Sequence, residues 1–323
     1  MPDGNLNVHY FTLTDTLASE HIYGRELTKE LLNQGIQAVP NWRQADIVHL
    51  FEVNLFTRSA IKSFRIPKLL RILKSDVPLI ISTDDLYFID QPKLTERPRL
   101  YEYNYQVQRW LFNRSDAIIA ISESVKQSIQ PALNDTPVHV VYHGVTDEYF
   151  SDPGSQSDPF ILHVSLASKR KNPEAIVTIA DQLDERFVIA GSGWDRYFSH
   201  RNVSNSVEIK GFVSEKDLIS LYHEADIFYF PTLHEGFGLP ILEAMASGNA
   251  VVASNVYSVP EVTGDTAILH DPQNHQTHLN TLYQLIRNTN QRLKLAKSAR
   301  ERAESFSWKK AATKTIKVYR SPM

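Results

Sequence analysis

Two acids, Glu235 and Glu243, stand with seven residues between them, Gly236-Phe237-Gly238-Leu239-Pro240-Ile241-Leu242. A carboxylate accepts strong hydrogen bonds from hydroxyl groups. Glycine at 236 and 238 lets a backbone approach a ligand closely. Pro240 suits the first turn of a helix, where its missing N–H costs little, and Gly248 can cap the far end. The unpaired N–H groups at that helix start form an anion site, with Glu243 placed in the first turn and Glu235 in the loop before it. A second cluster lies upstream, where Arg170 and Lys171 precede Asn172 and Pro173. Asn172 is a helix cap and Pro173 a helix start, so a phosphate there meets two cations and a row of N–H groups. The combination suits a ligand carrying both hydroxyls and phosphate. The plainer reading is a capped, solvated helix face and a solvated basic loop; the complete loop, glycine and proline context favours the ligand.

These residues need elements to hold them. In the first half, strands are expected at Asn7–Leu13, Ile47–Phe51, Leu79–Ser82, Asp116–Ser122 and Val138–Tyr142. Helices are expected at Glu20–Gln34, Arg97–Asn113 and Glu123–Ile129. After a Ser-, Asp-, Pro- and Gly-rich linker at Ser151–Pro159, strands are expected at Phe160–Val164, Phe187–Ala190, Val207–Ile209, Asp226–Phe230, Ala250–Ser254 and Ala267–Leu269. Helices fall near Pro173–Leu183, Glu215–His223, Leu239–Ser247 and His275–Arg287, with two or three more up to Arg320. Strands alternate with helices, and Leu79-Ile80-Ile81 and Ala117-Ile118-Ile119-Ala120-Ile121 are continuously apolar. That is the pattern of parallel sheets covered on both faces, an α/β fold of two doubly wound domains. Such domains bind ligands at the carboxyl ends of their strands, here expected in the cleft between them.

The 323 residues suit two domains and two cores. Lys and Arg number 34 against 37 Asp and Glu, so no strong positive field attracts nucleic acid. The absence of cysteine excludes disulfides, zinc–thiolate sites and a cysteine nucleophile. Six of the twelve glycines fall between Gly191 and Gly248, which marks that region for close backbone approach. No apolar run reaches the ~20 residues of a membrane span, and Met1–Asn5 lacks the basic start of a signal peptide; a cytoplasmic protein is expected.

The segment Glu235–Glu243 resembles the E-x7-E signature of retaining glycosyltransferases of the GT-B fold, family 4. The resemblance continues through Ala250–Ser254 and Ser258-Val259-Pro260-Glu261-Val262, and upstream through Phe160–Asn172, Val188–Gly193 and Gly211-Phe212-Val213. Ser307-Trp308-Lys309-Lys310 resembles the start of the family's last helix, which crosses back to the first domain. The first half carries it more weakly, in Ala117–Glu123 and His143-Gly144-Val145.

This resemblance implies two Rossmann-like domains facing a central cleft. The acceptor-binding domain would be residues 1–150 joined by the helix of 307–323, and the donor-binding domain residues 151–306. It implies that Glu243 binds the ribose of a UDP- or GDP-sugar and Glu235 the donor sugar, helped by the backbone at Gly236, Phe237, Gly238 and Leu239. Arg170 and Lys171 would neutralise the diphosphate leaving group, with Ser165 and Gly24 also in the donor set. No metal and no further cofactor would be needed; the partners would be the nucleotide sugar and a carbohydrate or lipid-linked acceptor. The implied reaction is a same-face displacement with retained anomeric configuration, in polysaccharide, lipopolysaccharide or glycolipid assembly.

The sequence also departs from the family. Ser165 and Leu166 stand where many members have glycine and arginine, and His143 where asparagine is usual. Asp84, then Asp85, stand where a histidine meets the donor sugar, so Asp84 is either a site residue or a turn residue. Gly24 is the remnant of a glycine-rich loop or a helix-packing glycine. A degenerate nucleotide-sugar-binding subunit, or an epimerase or phosphorylase on the same fold, remain alternatives. A dehydrogenase is excluded because no G-x-G-x-x-G follows the first strand of either half. Six cations between Arg58 and Lys74, interleaved with apolar residues and broken by Pro67, read as a solvated basic surface or as a peripheral contact with the inner membrane face.

Overall fold

Strands that are apolar at every position need cover on both faces, and this chain builds such strands twice. The computed structural model describes residues 6–12, 18–51, 65–84, 92–94, 101–152, 159–199 and 206–321. It divides into one unit of Met1–Gly144 with Ser307–Met323 and a second of Val145–Phe306.

The first unit runs β1 (Asn7–Thr12), α1 (Ala18–Asn33), β2 (Gln37–Ala38), β3 (Ile47–Phe51), α2 (Arg65–Ile72), β4 (Leu79–Thr83), α3 (Tyr101–Phe112), β5 (Ala117–Ala120), α4 (Glu123–Ile129) and β6 (Val138–Val140). Its six strands are parallel in the order β2-β1-β3-β4-β5-β6, with Val8 beside Ile47 and Ile81 beside Ile118. Every residue of β3, β4 and β5 is buried. Gly35, at φ 90°, ends α1 in the left-handed turn that glycine makes readily. Ser122 caps α4 by accepting from the Val125 N–H at 3.0 Å. The two-residue β2 and the short α2 were not expected from the sequence. Pro67 falls in the first turn of α2, where a proline breaks nothing; Leu69 and Ile72 are buried while Ile66 and Leu70 are exposed. Arg58 and Lys62, Leu13, Asp85 and the start expected for α3 at 97–100 lie outside the described residues, as does most of the linker.

The second unit runs β7 (Ile161–Val164), α5 (Pro173–Gln182), β8 (Phe187–Ala190), α6 (Asp195–Phe198), β9 (Val207–Gly211), α7 (Glu215–Glu224), β10 (Ile227–Phe230), α8 (Leu239–Ala246), β11 (Ala250–Ser254), α9 (Val259–Thr263), β12 (Ile268–His270), α10 (His275–Arg287) and α11 (Thr289–Ala303). The parallel order is β12-β11-β10-β7-β8-β9. The chain starts mid-sheet at β7, builds outward through β8 and β9, then returns to β10 on the other side. The strand order therefore reverses between β7 and β10, the point at which doubly wound sheets bind ligands. Ile161, Ile189, Ile227, Tyr229 and Val252 from the sheet pack with Ile176 and Ile179 of α5 and Leu282 and Leu285 of α10.

The last helix, α12 (Trp308–Tyr319), belongs to the first unit. Ser307 caps it by accepting from the Lys310 N–H at 3.2 Å. It lies on α1: Gln34 Nε2 donates to the Lys309 carbonyl at 3.0 Å, and the Thr313 hydroxyl donates to Gln34 Oε1 at 2.8 Å. A Cβ on Gly144 would overlap the Ser307–Trp308 peptide, so glycine is required where the chain leaves this unit beside its point of return. Tyr319 of α12 reaches a buried network at the sheet. His49 Nδ1 lies 2.6 Å from the Tyr319 hydroxyl and Nε2 lies 2.7 Å from Ser82 Oγ, which accepts from the Tyr23 hydroxyl at 3.0 Å. The tautomer that satisfies this chain carries its proton on Nδ1.

Candidate donor-binding site

The expected cations and acid converge at the reversal point of the second sheet. The chain leaving β7 makes a tight turn at Lys169–Lys171, then Asn172 adopts a left-handed conformation at φ 54° and caps α5 by accepting from the Ala175 N–H. The chain leaving β10 comes alongside: the Leu233 N–H and the Thr232 hydroxyl both donate to the Arg170 carbonyl, at 2.8 and 3.1 Å. This stitches the two loops together.

Their side chains then meet. Lys171 Nζ donates to Glu235 Oε2 at 2.5 Å, and Arg170 Nη1 lies 3.3 Å from Glu235 Oε1. The Lys171 and Glu235 side chains are only 8% and 10% exposed, so this is a largely desolvated pair. Lys171 also sits 4.6 Å above the Phe230 ring. Ser258 donates to the Glu235 carbonyl at 2.8 Å and pins the loop from below. Tyr257, held at φ 47°, lays its ring 3.8 Å from that of His234. A bulky residue in this conformation carries strain that its surroundings must outweigh.

Gly238, at φ 95°, forms the N-cap of α8 without a side-chain cap; its carbonyl accepts from the Ile241 and Leu242 N–H groups at 2.9 and 3.1 Å, and Pro240 brings no N–H of its own, so the Leu239 N–H is the first-turn donor left for a ligand. Gly236 and Phe237 are buried, Phe237 against Phe306, and Leu239 is half-buried. Glu243 lies in the second turn of α8 rather than the first, because the helix begins at Leu239. It is buried, and Oε2 accepts from the Tyr222 hydroxyl at 3.0 Å. Burial pushes its carboxyl up to about 7; hydrogen bonds from Tyr222 and Tyr149 pull the other way, and the nearby Glu215 charge pushes further up.

Ser165 holds the end of β7. Its N–H donates to the Ala190 carbonyl at 3.0 Å, its carbonyl accepts from Trp194 Nε1 at 2.8 Å, and its hydroxyl lies 2.8 Å from His163 Nε2. His163 Nδ1 lies 2.9 Å from the Tyr229 carbonyl, so Nδ1 carries the proton and Nε2 accepts from Ser165. Burial first, and the Lys171 charge after it, lower the His163 pKa to about 3, against the Tyr229 carbonyl, so the ring is neutral. With its donors committed in this way, Ser165 offers a phosphate little beyond position. A Cβ at Gly191 would run into the Ser165 carbonyl, so Gly191 is the glycine that backbone approach requires.

The chain matches the family model described as Glycosyl transferases group 1 over residues 145–302, and that described as Glycosyltransferase Family 4 over residues 20–149. This chain belongs to the group 1 glycosyltransferases. The glycosyltransferase is 31% identical over 236 residues to the serotype-specific mannosyltransferase WbdA of Escherichia coli, a match covering 64% of this chain and 29% of WbdA. It spans about a third or less of the length of the curated relatives it matches first. Its fold is that of a sucrose-phosphate synthase from Thermosynechococcus elongatus, with a TM-score of 0.81 at 18% identity over 98% of each chain. Anabaena HepE, in complex with UDP and glucose, gives 0.78 at 17% identity over 98% of this chain and 100% of that one. The fold is GT-B.

Two expected site residues of this glycosyltransferase lie in its first unit. Asp84 is exposed just after β4, and its charge acts on Tyr23. Gly24 lies within α1, and among the described residues a Cβ there would meet nothing within 4 Å. Tyr149, Tyr222 and Trp194 were not singled out from the sequence, where each reads as an ordinary core residue. Among the described residues, no group of three or more His, Asp or Glu side chains could hold a metal ion, and no helix is long and apolar enough to cross a membrane.

Proposed function

We propose that this chain transfers a sugar from a nucleotide diphosphate sugar, UDP- or GDP-linked, to an acceptor hydroxyl with retention of anomeric configuration. The observation that carries this reading is the Arg170–Lys171–Glu235 cluster at the β7/β10 reversal, beside Gly238 at the N-terminus of α8. Glu235 is the counter-ion of the two cations before the donor arrives. The diphosphate then takes over Arg170 and Lys171, together with the Leu239 N–H at the start of α8, and Glu235 accepts from hydroxyls of the donor sugar. Glu243 accepts from the ribose diol.

In the reaction, the bond from the anomeric carbon to the β-phosphate oxygen breaks and its electron pair stays on the diphosphate. The cations stabilise that charge, the work a metal does in other transferases. The acceptor oxygen bonds to the anomeric carbon on the same face, and its proton passes to a phosphate oxygen of the leaving group. The first unit binds the acceptor, a carbohydrate or lipid-linked glycan, and Asp84 contributes there. The mannosyltransferase names among the relatives favour mannose as the sugar. The reaction uses the cytoplasmic nucleotide-sugar pool, and the basic 58–74 segment, with Ile66 and Leu70 exposed, suits a peripheral contact with the inner membrane face.

Calorimetric titration with UDP, GDP and ADP tests the donor assignment. One of the first two should bind, and Glu243→Ala should weaken it about tenfold to a hundredfold, the worth of a hydrogen bond to a charged group. Proton NMR of the transfer product should show the donor's anomeric configuration. Failure of all three nucleotides to bind, or an inverted product, would overturn the reading.

A further inference from the structure

Glu243 does not stand alone in its pocket. Tyr222 comes from the last turn of α7, is fully buried, and donates to Oε2 at 3.0 Å. Tyr149 comes from the turn Asp147–Tyr149 that opens the second unit, and its hydroxyl donates to the same carboxylate. The two rings pack edge to face at 5.6 Å, so each fixes the other. Tyr149 is held at its backbone as well: the Ser247 hydroxyl donates to its carbonyl at 2.8 Å, and His223 Nε2 lies 3.2 Å from the same oxygen. Three separate segments therefore meet at one acid.

We propose that Tyr222 and Tyr149 are positioning residues, whose hydroxyls fix the Glu243 carboxylate and keep it ionised to accept from a ribose diol. The proposal rests on the reading of Glu243 as the ribose acceptor. A buried carboxyl that must accept two hydroxyl protons from a ligand works only in its ionised form, because a protonated one offers an O–H where an acceptor is needed. Burial opposes ionisation here, and two donated hydrogen bonds favour it. The surrounding charges give no help. Glu215, at the start of α7, opposes ionisation. Three cations on the packed helix α11 are engaged elsewhere, Arg292 with Asp226, Arg300 with Asp152, Glu304 and the Ser151 carbonyl, and Arg302 with the carbonyls of Glu261 and Val262, while Lys294 and Lys297 on the same helix are exposed. Hydroxyl donors from tyrosine are what the pocket supplies in place of a cation.

The test is Tyr222→Phe, which keeps the ring and its packing, with Tyr149→Phe as a second variant. In nucleotide-free protein labelled with carboxyl-13C glutamate, the Glu243 resonance, assigned by its loss in Glu243→Gln, should titrate near pH 7. In Tyr222→Phe its midpoint should rise by about one unit. The Kd for whichever of UDP and GDP binds should then weaken about fivefold at pH 7 and recover by pH 9, the loss of ionised carboxylate that such a shift produces. An unshifted midpoint in both variants, or a Kd loss that persists unchanged at pH 9, overturns the positioning role. The 2′-deoxy form of the same nucleotide separates the two ideas. If wild-type protein binds it as tightly as the parent, the ribose reading fails, while the carboxyl titration still decides whether the tyrosines set the ionisation of Glu243.

Discussion

The carboxyl edges of the two sheets carry opposite chemistry on the same kind of scaffold. At the second sheet, Lys171, Arg170 and Glu235 form a charged cluster with few water contacts. At the first, His49, Ser82, Tyr23 and Tyr319 form a buried network with no formal charge. Both satisfy buried polar groups, but by different means. A neutral chain of hydroxyls and an imidazole is complete in itself and joins α12 to β3 and β4. A carboxylate and two cations form a different kind of cluster: under the proposed function a phosphate takes over the cations, and the displaced, buried Glu235 carboxylate then needs hydroxyl donors in their place. The scaffold thus carries a neutral joint in one unit and an ion cluster in the other.

The sharpest way to break this contrast is Lys171→Ala. Turnover should fall by about 10²–10³-fold, the usual loss when one stabiliser of transition-state charge is removed. Steady-state rates measured at saturating nucleotide sugar would decide it; a rate within threefold of wild type would show that the cluster is only structural.

Acid should act more strongly on the neutral network. Burial lowers His49 and His143 of the first unit to about 3. A histidine whose folded pKa lies below its unfolded value near 6.5 contributes stability above that value, and loses it as pH falls toward the folded pKa. Between pH 6.5 and 5 the pair should cost the first unit roughly 3 kcal/mol. The second unit buries His163, lowered to about 3, and His278, lowered to about 4. Glu243 opposes them there, since its raised pKa makes the folded state bind the extra proton between about 4.5 and 7. Hydrogen exchange at pH 7 and pH 5 should therefore show β3 and β4 losing protection before β7 and β10; equal losses would refute the asymmetry.

The smallest effect belongs to Ser82→Ala. It removes one acceptor and one donor, leaving His49 Nε2 and the Tyr23 hydroxyl without this partner, and should cost about 1–3 kcal/mol. Urea denaturation would measure that loss, with nucleotide affinity unchanged because the proposed donor groups Arg170, Lys171, Glu235 and Glu243 belong to the other unit.

Much of this architecture is legible in the residues themselves. The runs Leu79–Ile81 and Ala117–Ile121 read as doubly covered strands because both faces of each are apolar. Arg170, Lys171 and Glu235 are legible because glycine, proline and a cap residue stand beside them in a pattern that packing alone does not require. What stays hidden is chemistry carried by residues that also make good cores. Tyr222 and Tyr149 look like packing aromatics, and only the fold shows that their hydroxyls end on Glu243. The two-residue β2 is invisible because Gln37 and Ala38 are both exposed and carry no alternation. Glu243 was placed a turn too early although the expected helix start, Leu239, is the observed one: Leu239–Leu242 already fill the first turn.

Gly144 and Trp308 touch where the polypeptide departs from and rejoins the first unit. Residues 145–306 are thus a loop-out within a discontinuous neighbour, and the order of biosynthesis follows. The inserted portion is contiguous and can acquire its native shape as soon as it leaves the ribosome. The earlier-made portion must wait, with the groove for α12 on α1 unfilled and His49 lacking Tyr319, until Trp308–Tyr319 emerges. The part translated first is the part finished last.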